Sequence, residues 1–248
     1  MLRDLGLVVL AVAVVGLVVL ALQPRGPGDR ASVLSPSPRV ASGTTTSDSS
    51  AAAVRPSPSA SATPSPAGPP PTAAALGDGM LSDSEGWYRR MLAAADAPLR
   101  DVLNAGRPGQ TAAEVAARTA AVVAAAPQVA VVQAGTNDLL RGIPTATTLA
   151  GLRSIVSTLR GVDVEPVLVL VPPSGAATPR AEALNAAITA LGAELDAVVV
   201  DPWEPVRGPS GGWVAGASAD GVEPVPAASQ QAAEHAAEQL DSAGLPAG

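Results

Sequence analysis

Val167-Leu168-Val169-Leu170-Val171, closed by Pro172-Pro173, is the stretch on which the fold turns. A short unbroken apolar run, rich in β-branched residues, reads as a strand buried on both faces. Proline has no N–H to give a ladder, so the pair marks the strand's end. Four similar runs flank it. Ala73–Leu76 ends at Gly77-Asp78-Gly79, and Leu99–Leu103 follows. Gln128–Gln133 contains Val129-Ala-Val-Val, and Ala197–Val200 ends at Asp201-Pro202. Helical periodicity fills the intervals at Trp87–Ala95, the alanine-rich Ala112–Ala126, Leu149–Leu159, Arg180–Leu191 and Ala227–Leu240. In the third of these, Leu149, Leu152, Ile155, Val156 and Leu159 share one stripe. Strands alternating with helices predict βαβ units with right-handed crossovers. The expected class is therefore α/β, a three-layer α/β/α sandwich around a five-stranded parallel sheet.

The periodic part occupies residues 72–248, a normal size for one domain. Before it lie two segments of other character. No residue from Leu5 to Pro24 is charged, and Leu5–Leu22 is an almost unbroken Leu/Val/Ala run. At about 1.5 Å per helical residue this nearly crosses a hydrocarbon core of roughly 30 Å. A cleaved signal peptide would have a shorter apolar region and a small-x-small site. Ala21-Leu22-Gln23 is a poor one. Residues 5–24 thus read as a transmembrane signal anchor, with 1–4 as a short cytoplasmic N-terminus. Residues 25–71 are rich in Pro, Ser, Thr and Ala, as in Ser35-Pro-Ser-Pro and Arg55-Pro-Ser-Pro-Ser. Such a segment buries too little apolar surface to offset the entropy of ordering, and is expected to be a disordered linker. Arginines on both sides of the apolar run leave orientation weakly marked. The stalk-like linker favours a single-pass protein of the cell membrane with its C-terminal domain extracytoplasmic.

Composition narrows the function classes. The chain has no Phe, one Tyr and no Cys, and 15 basic against 22 acidic residues give a net charge of −7. Without cysteine, disulfides, thiolate catalysis and Cys-ligated metals are excluded. The acidic balance argues against a nucleic-acid partner, which needs a basic footprint. Nothing in the sequence requires a cofactor or singles out a helix face for assembly, so a monomeric domain is expected.

In parallel sheets ligands bind beyond the carboxyl ends of the strands, so the loops leaving each strand carry the information. The first strand is followed by Gly77-Asp78-Gly79-Met80-Leu81, the second by Asn104-Ala-Gly-Arg-Pro-Gly109-Gln-Thr111, and the third by Gly135-Thr136-Asn137-Asp138. Asp220-Gly221-Val222-Glu223-Pro224 precedes the last helix. In order and spacing these four blocks resemble those of the SGNH/GDSL hydrolases, an esterase and lipase family. That family has Gly-Asp-Ser-Leu, Asn-x-x-x-x-Gly-x-Thr, Gly-x-Asn-Asp and Asp-x-x-His-Pro at the corresponding places. The resemblance spans the whole domain and implies a flavodoxin-like sandwich. It also implies a serine nucleophile, a histidine base oriented by the aspartate, and an oxyanion hole. By position, Gly109, Asn137 and the backbone N–H of residue 79 would form that hole, and Asp220 would be the orienting acid.

The departures fall on the reactive atoms. Gly79 stands where the family keeps serine, and Glu223 where it keeps histidine. Ser82 and Ser84 lie three and five residues beyond, too far along to replace the missing hydroxyl. His235, the one histidine, lies 12 residues past Glu223, about three helical turns. A glutamate with an ordinary pKa of about 4.3 is a poor base at neutral pH, although a close Asp220 would raise it. Asp78, Asp138, Asp220 and Glu223 are placed to gather acidic charge near one cleft. Loop carboxylates such as Asp78 and Asp138 more often bind backbone N–H groups. An acidic cleft would suit a neutral glycan, a cationic group or a hard cation, but no metal site is assigned. Trp213 and Trp203 are candidates for a stacking surface at the rim, or for packing. Two readings follow. One is a catalytically inactive pseudoenzyme holding an envelope glycan or acylated ligand. The other is an esterase or acylhydrolase with non-standard catalytic residues. If residues 5–24 are an uncleaved anchor, the native protein sediments with membranes after a high-salt wash; release into the medium would mean the segment is cleaved.

Overall fold

The structure, a computed structural model, describes residues 68–248. The anchor expected at 5–24, and the expected linker up to residue 67, lie outside the described residues. Among the described residues no helix is long and apolar enough to cross a membrane.

Five strands form one parallel sheet: β1 (Thr72–Gly77), β2 (Arg100–Gly106), β3 (Val129–Gln133), β4 (Glu165–Val169) and β5 (Val198–Val200). Their order is β2-β1-β3-β4-β5. The helices are α1 (Gly79–Ser82), α2 (Trp87–Leu92), α3 (Ala112–Ala116), α4 (Thr119–Ala125), α5 (Thr136–Leu140), α6 (Thr145–Arg160), α7 (Thr178–Leu195) and α8 (Pro226–Ser242). The two-residue period of the strands splits their side chains between two cores. Ala74, Leu76, Ala130, Val132 and Leu168 pack with α3, α4, α6 and α7 on one face. Ala73, Ala75, Val129, Val131, Val167 and Val169 pack with α1, α2 and α8 on the other. The second core holds the aromatic residues Trp87, Tyr88 and Trp203, all buried, beside the small alanines of β1. The three-layer α/β/α sandwich expected from the apolar runs is the observed architecture.

Boundaries differ from the sequence reading where tertiary contacts intervene. The alanine-rich helix expected over 112–126 is two helices, α3 and α4. The chain breaks at Ala117-Arg118, where the Arg118 guanidinium turns inward to donate to Gly77 O and Ala105 O, and the Thr119 hydroxyl donates to Ala116 O. The strand expected over 99–103 runs on to Gly106, because β1 pairs with it as far as Gly77. The strand expected over 167–171 begins two residues earlier and stops at Val169. Val171 is then held by both amide atoms of Asn185 in α7, 2.8 and 2.9 Å away, which substitute for a sheet neighbour.

The strand order reverses at β1. The crossover from β1 leads outward to β2, and the chain returns past β1 to β3, so a crevice opens at the carboxyl ends of β1 and β3. Its floor is tight. A Cβ at Gly77 would lie 2.2 Å from the Gln133 carbonyl oxygen and 2.8 Å from Leu81. Gly77→Ala must therefore push β1 and β3 apart at their ends, and we expect a loss of about 3 kcal/mol of stability by urea denaturation.

Candidate functional site

The chain leaves β1 through Asp78, whose N–H donates to Gln133 O at 3.2 Å and whose side chain caps α1 by accepting from Met80 N at 3.1 Å. Gly79 is the first residue of α1. A Cβ there would meet Pro108 at 3.4–3.5 Å, an ordinary contact. The backbone therefore does not require glycine at this position, and a Cβ has room. Ser82 is turned back on the same turn, its hydroxyl donating to Gly79 O at 3.1 Å.

The loop after β2 packs against this turn. Gly109 has φ +79°, which explains a glycine there. Its carbonyl accepts from the Arg141 guanidinium. The next carbonyl, of Gln110, accepts from Asn137 Nδ2 at 3.0 Å. Thr111 and Glu114 then form a capping box on α3. The same Asn137 Nδ2 reaches Asp78 Oδ2 at 3.4 Å. Positions 79, 109 and 137, picked out separately in the sequence, thus meet at the carboxyl ends of β1, β2 and β3.

Asp138 points away from this meeting point. It is buried, accepting from Ala112 N at 2.9 Å and from the Thr148 hydroxyl at 3.0 Å, and so pins the start of α3 to α6. Asp220 and Glu223 sit on an exposed loop before α8. Asp220 Oδ1 accepts from Val222 N at 2.8 Å, Glu223 N at 2.9 Å and the Ser218 hydroxyl at 3.2 Å. The bonds from Glu223 and Val222 hold its carboxyl below the usual carboxylate range. The Asp220 carboxylate is thus spent on its own loop, and among the described residues no hydrogen bond links Asp220 or Glu223 to Gly79, Gly109 or Asn137. The four carboxylates do not form one acidic cleft: Asp78 and Asp138 are buried, and Asp220 and Glu223 are solvated. Among the described residues no group of three acidic or histidine side chains is arranged to hold a metal.

Trp213 is half-buried and donates to Gly221 O at 2.9 Å, with its ring edge-to-face on Trp203 at 5.9 Å. It braces the 218–224 loop. Trp203 is fully buried and donates to Leu170 O, a packing role. His235 lies on α8, bonded to Gln239 and near Glu204 and Glu238, away from the crevice. Arg118 and Thr136 escaped the sequence reading. Arg118 clamps the carbonyl that precedes Asp78, and a lone arginine between alanines gives no signal of such a long-range contact.

Asp78 is 2 % exposed, and its carboxyl is pushed up to about 6 from 3.8. Burial is the main cause, and repulsion from Asp138 adds to it, while the Met80 N–H and the Thr136 hydroxyl work in the opposite direction.

A sequence profile of the GDSL-like lipase/acylhydrolase family matches residues 72–231, and the chain belongs to this family. No curated protein matches. Among solved structures, a lipolytic protein of the G-D-S-L family from Desulfitobacterium hafniense superposes with a TM-score of 0.61 at 17% identity, over 68% of this chain and 98% of its own. An acetyl xylan esterase from Geobacillus stearothermophilus gives 0.61 at 17% identity, over 70% and 96%. The structure of TesA gives 0.59 at 27% identity, over 69% and 98%.

The raised carboxyl of Asp78 fixes a sign. The folded state binds this proton more tightly than the unfolded chain does. Its ionisation therefore costs stability in full above about pH 6, and the cost is relieved as pH falls from 6 toward 3.8. Measured against Asp78→Asn by urea denaturation, the wild type should gain roughly 2–3 kcal/mol between pH 7 and pH 4. A pH-independent difference would mean the carboxyl titrates normally.

Proposed function

We propose that this protein is a membrane-anchored, extracytoplasmic SGNH/GDSL-type domain that binds a cell-envelope ligand without turning it over. The observation that carries this reading is the absence of a hydroxyl at residue 79, at a backbone position where a Cβ has room. The base position supports it, since Glu223 is a solvated carboxylate and the one imidazole is on α8. In a well-measured serine protease, removing nucleophile or base alone costs on the order of 10⁶ in turnover. Asn137, Gly109 and the N–H of residue 79 remain grouped, as a pocket for a ligand oxygen requires. The acylated or glycan character of the ligand is taken from the relatives, which include an acetyl xylan esterase and lipolytic proteins.

The test is hydrolysis of an activated acetate ester by the full chain in detergent, wild type beside Gly79→Ser/Glu223→His, with Asn137→Ala on each background. We expect wild type at the buffer rate and measurable turnover in the double variant. Asn137→Ala should reduce that turnover by about 10²–10³-fold, the usual cost of an oxyanion donor. Wild-type turnover abolished by Asn137→Ala would establish an active esterase with non-standard catalytic residues.

A further inference from the structure

Asp78 is a buried carboxyl whose charge no cation offsets. Its hydrogen bonds come from Met80 N and Asn137 Nδ2, and among the described residues no guanidinium or imidazole donates to it. The charged groups on the adjoining elements are engaged elsewhere. Arg118, behind β1, is bonded to Gly77 O and Ala105 O. Arg141, beyond the loop after β2, serves Gly109 O and Glu114. From α5, Asp138 contributes only a second buried carboxylate. Thr136, the first residue of α5 and 3 % exposed, also faces the Asp78 carboxyl. Its hydroxyl favours the ionised carboxyl, although Oγ1 makes no bond within hydrogen-bond geometry.

The two protonation states of Asp78 need different partners. A carboxylate only accepts, and Asn137 and Met80 supply its donors. A neutral acid also donates, and the Thr136 hydroxyl, which can turn from donor to acceptor, is the group that can take that proton. We propose that Asp78 is a proton-operated latch on Asn137. Ionised, it holds the Asn137 amide inward. On taking up a proton it donates to Thr136 Oγ1 and releases the amide N–H for the carbonyl or carboxylate oxygen of a ligand. The ligand half of this inference rests on the retained pocket argued above, and the latch itself does not. Loss of the buried negative charge also removes repulsion against a carboxylate. Ligand affinity therefore rises in acid.

Asparagine occurs only at 104, 137 and 185. Asparagine-selective ¹⁵N labelling of the full chain in detergent micelles thus resolves the Asn137 side-chain amide, with Asn185, tied to Val171, as reference. We expect the Asn137 signals to titrate with a midpoint near pH 6. Asp78→Asn should flatten that titration. Thr136→Val removes a hydroxyl that favours the ionised carboxyl and should raise the midpoint. Ethyl acetate, as a carbonyl probe, should move the Asn137 signals near pH 5 and leave them in place near pH 8. Signals flat across this range, or a titration that persists in Asp78→Asn, would overturn the latch. Should Asp78→Asn not fold, an unmoved midpoint in Thr136→Val overturns it equally. A titrating Asn137 that ethyl acetate leaves unmoved at both pH values overturns the ligand half and counts against the retained pocket, while the latch stands.

Discussion

The close approach of β1 and β3 at Gly77 governs the geometry of this domain. With only 2.2 Å between an added Cβ and Gln133 O, the strand ends are in backbone contact. That contact fixes where each strand stops, and therefore where α1 and α5 begin. Gly106 extends the constraint to β2, since a Cβ there would lie 2.8 Å from Ser82 N. Arg118 completes it by occupying the Gly77 and Ala105 carbonyls together. Three strand ends are held as one rigid edge, and the residues that follow them inherit fixed positions.

The polar groups set on that edge divide by their environment. Asp138 has two good donors and joins α3 to α6. Asp78 is equally buried but has one capping N–H and one long bond to Asn137. A buried carboxylate is tolerated in proportion to the donors that replace water. Asp138 is therefore a structural support, and Asp78 is the group whose protonation the fold leaves open. Asp220, in solvent with three donors on one oxygen, is stabilised as an anion and organises its own turn.

The loop carrying Asp220 and Glu223 is built separately from the edge. Trp213 bonds it through Gly221 O and rests on Trp203, so its anchor is the aromatic layer between the sheet and α8. The strand-end loops carrying Gly79, Gly109 and Asn137 and the loop carrying Asp220 and Glu223 are thus held by different forces. The first depends on backbone contact between strand ends, the second on aromatic packing and a turn.

The sequence by itself determined the layer architecture, because apolar runs and helical stripes dictate which residues avoid water. It also determined the resemblance to the family, and that residue 79 is glycine and residue 223 glutamate, because those are matters of residue identity at fixed spacing. It placed Gly79, Gly109 and Asn137 on three separate loops, and only tertiary structure brought them together. Only tertiary structure, too, divided the carboxylates. Asp78, Asp138, Asp220 and Glu223 look alike in the chain, and what separates them is burial and the donors within 3.5 Å. Arg118 shows the same limit: its partners lie 13 and 41 residues away, and no local pattern records contacts of that range. Burial and long-range hydrogen bonds are properties of the packed chain, so they decide charge and conformation where local spacing is silent.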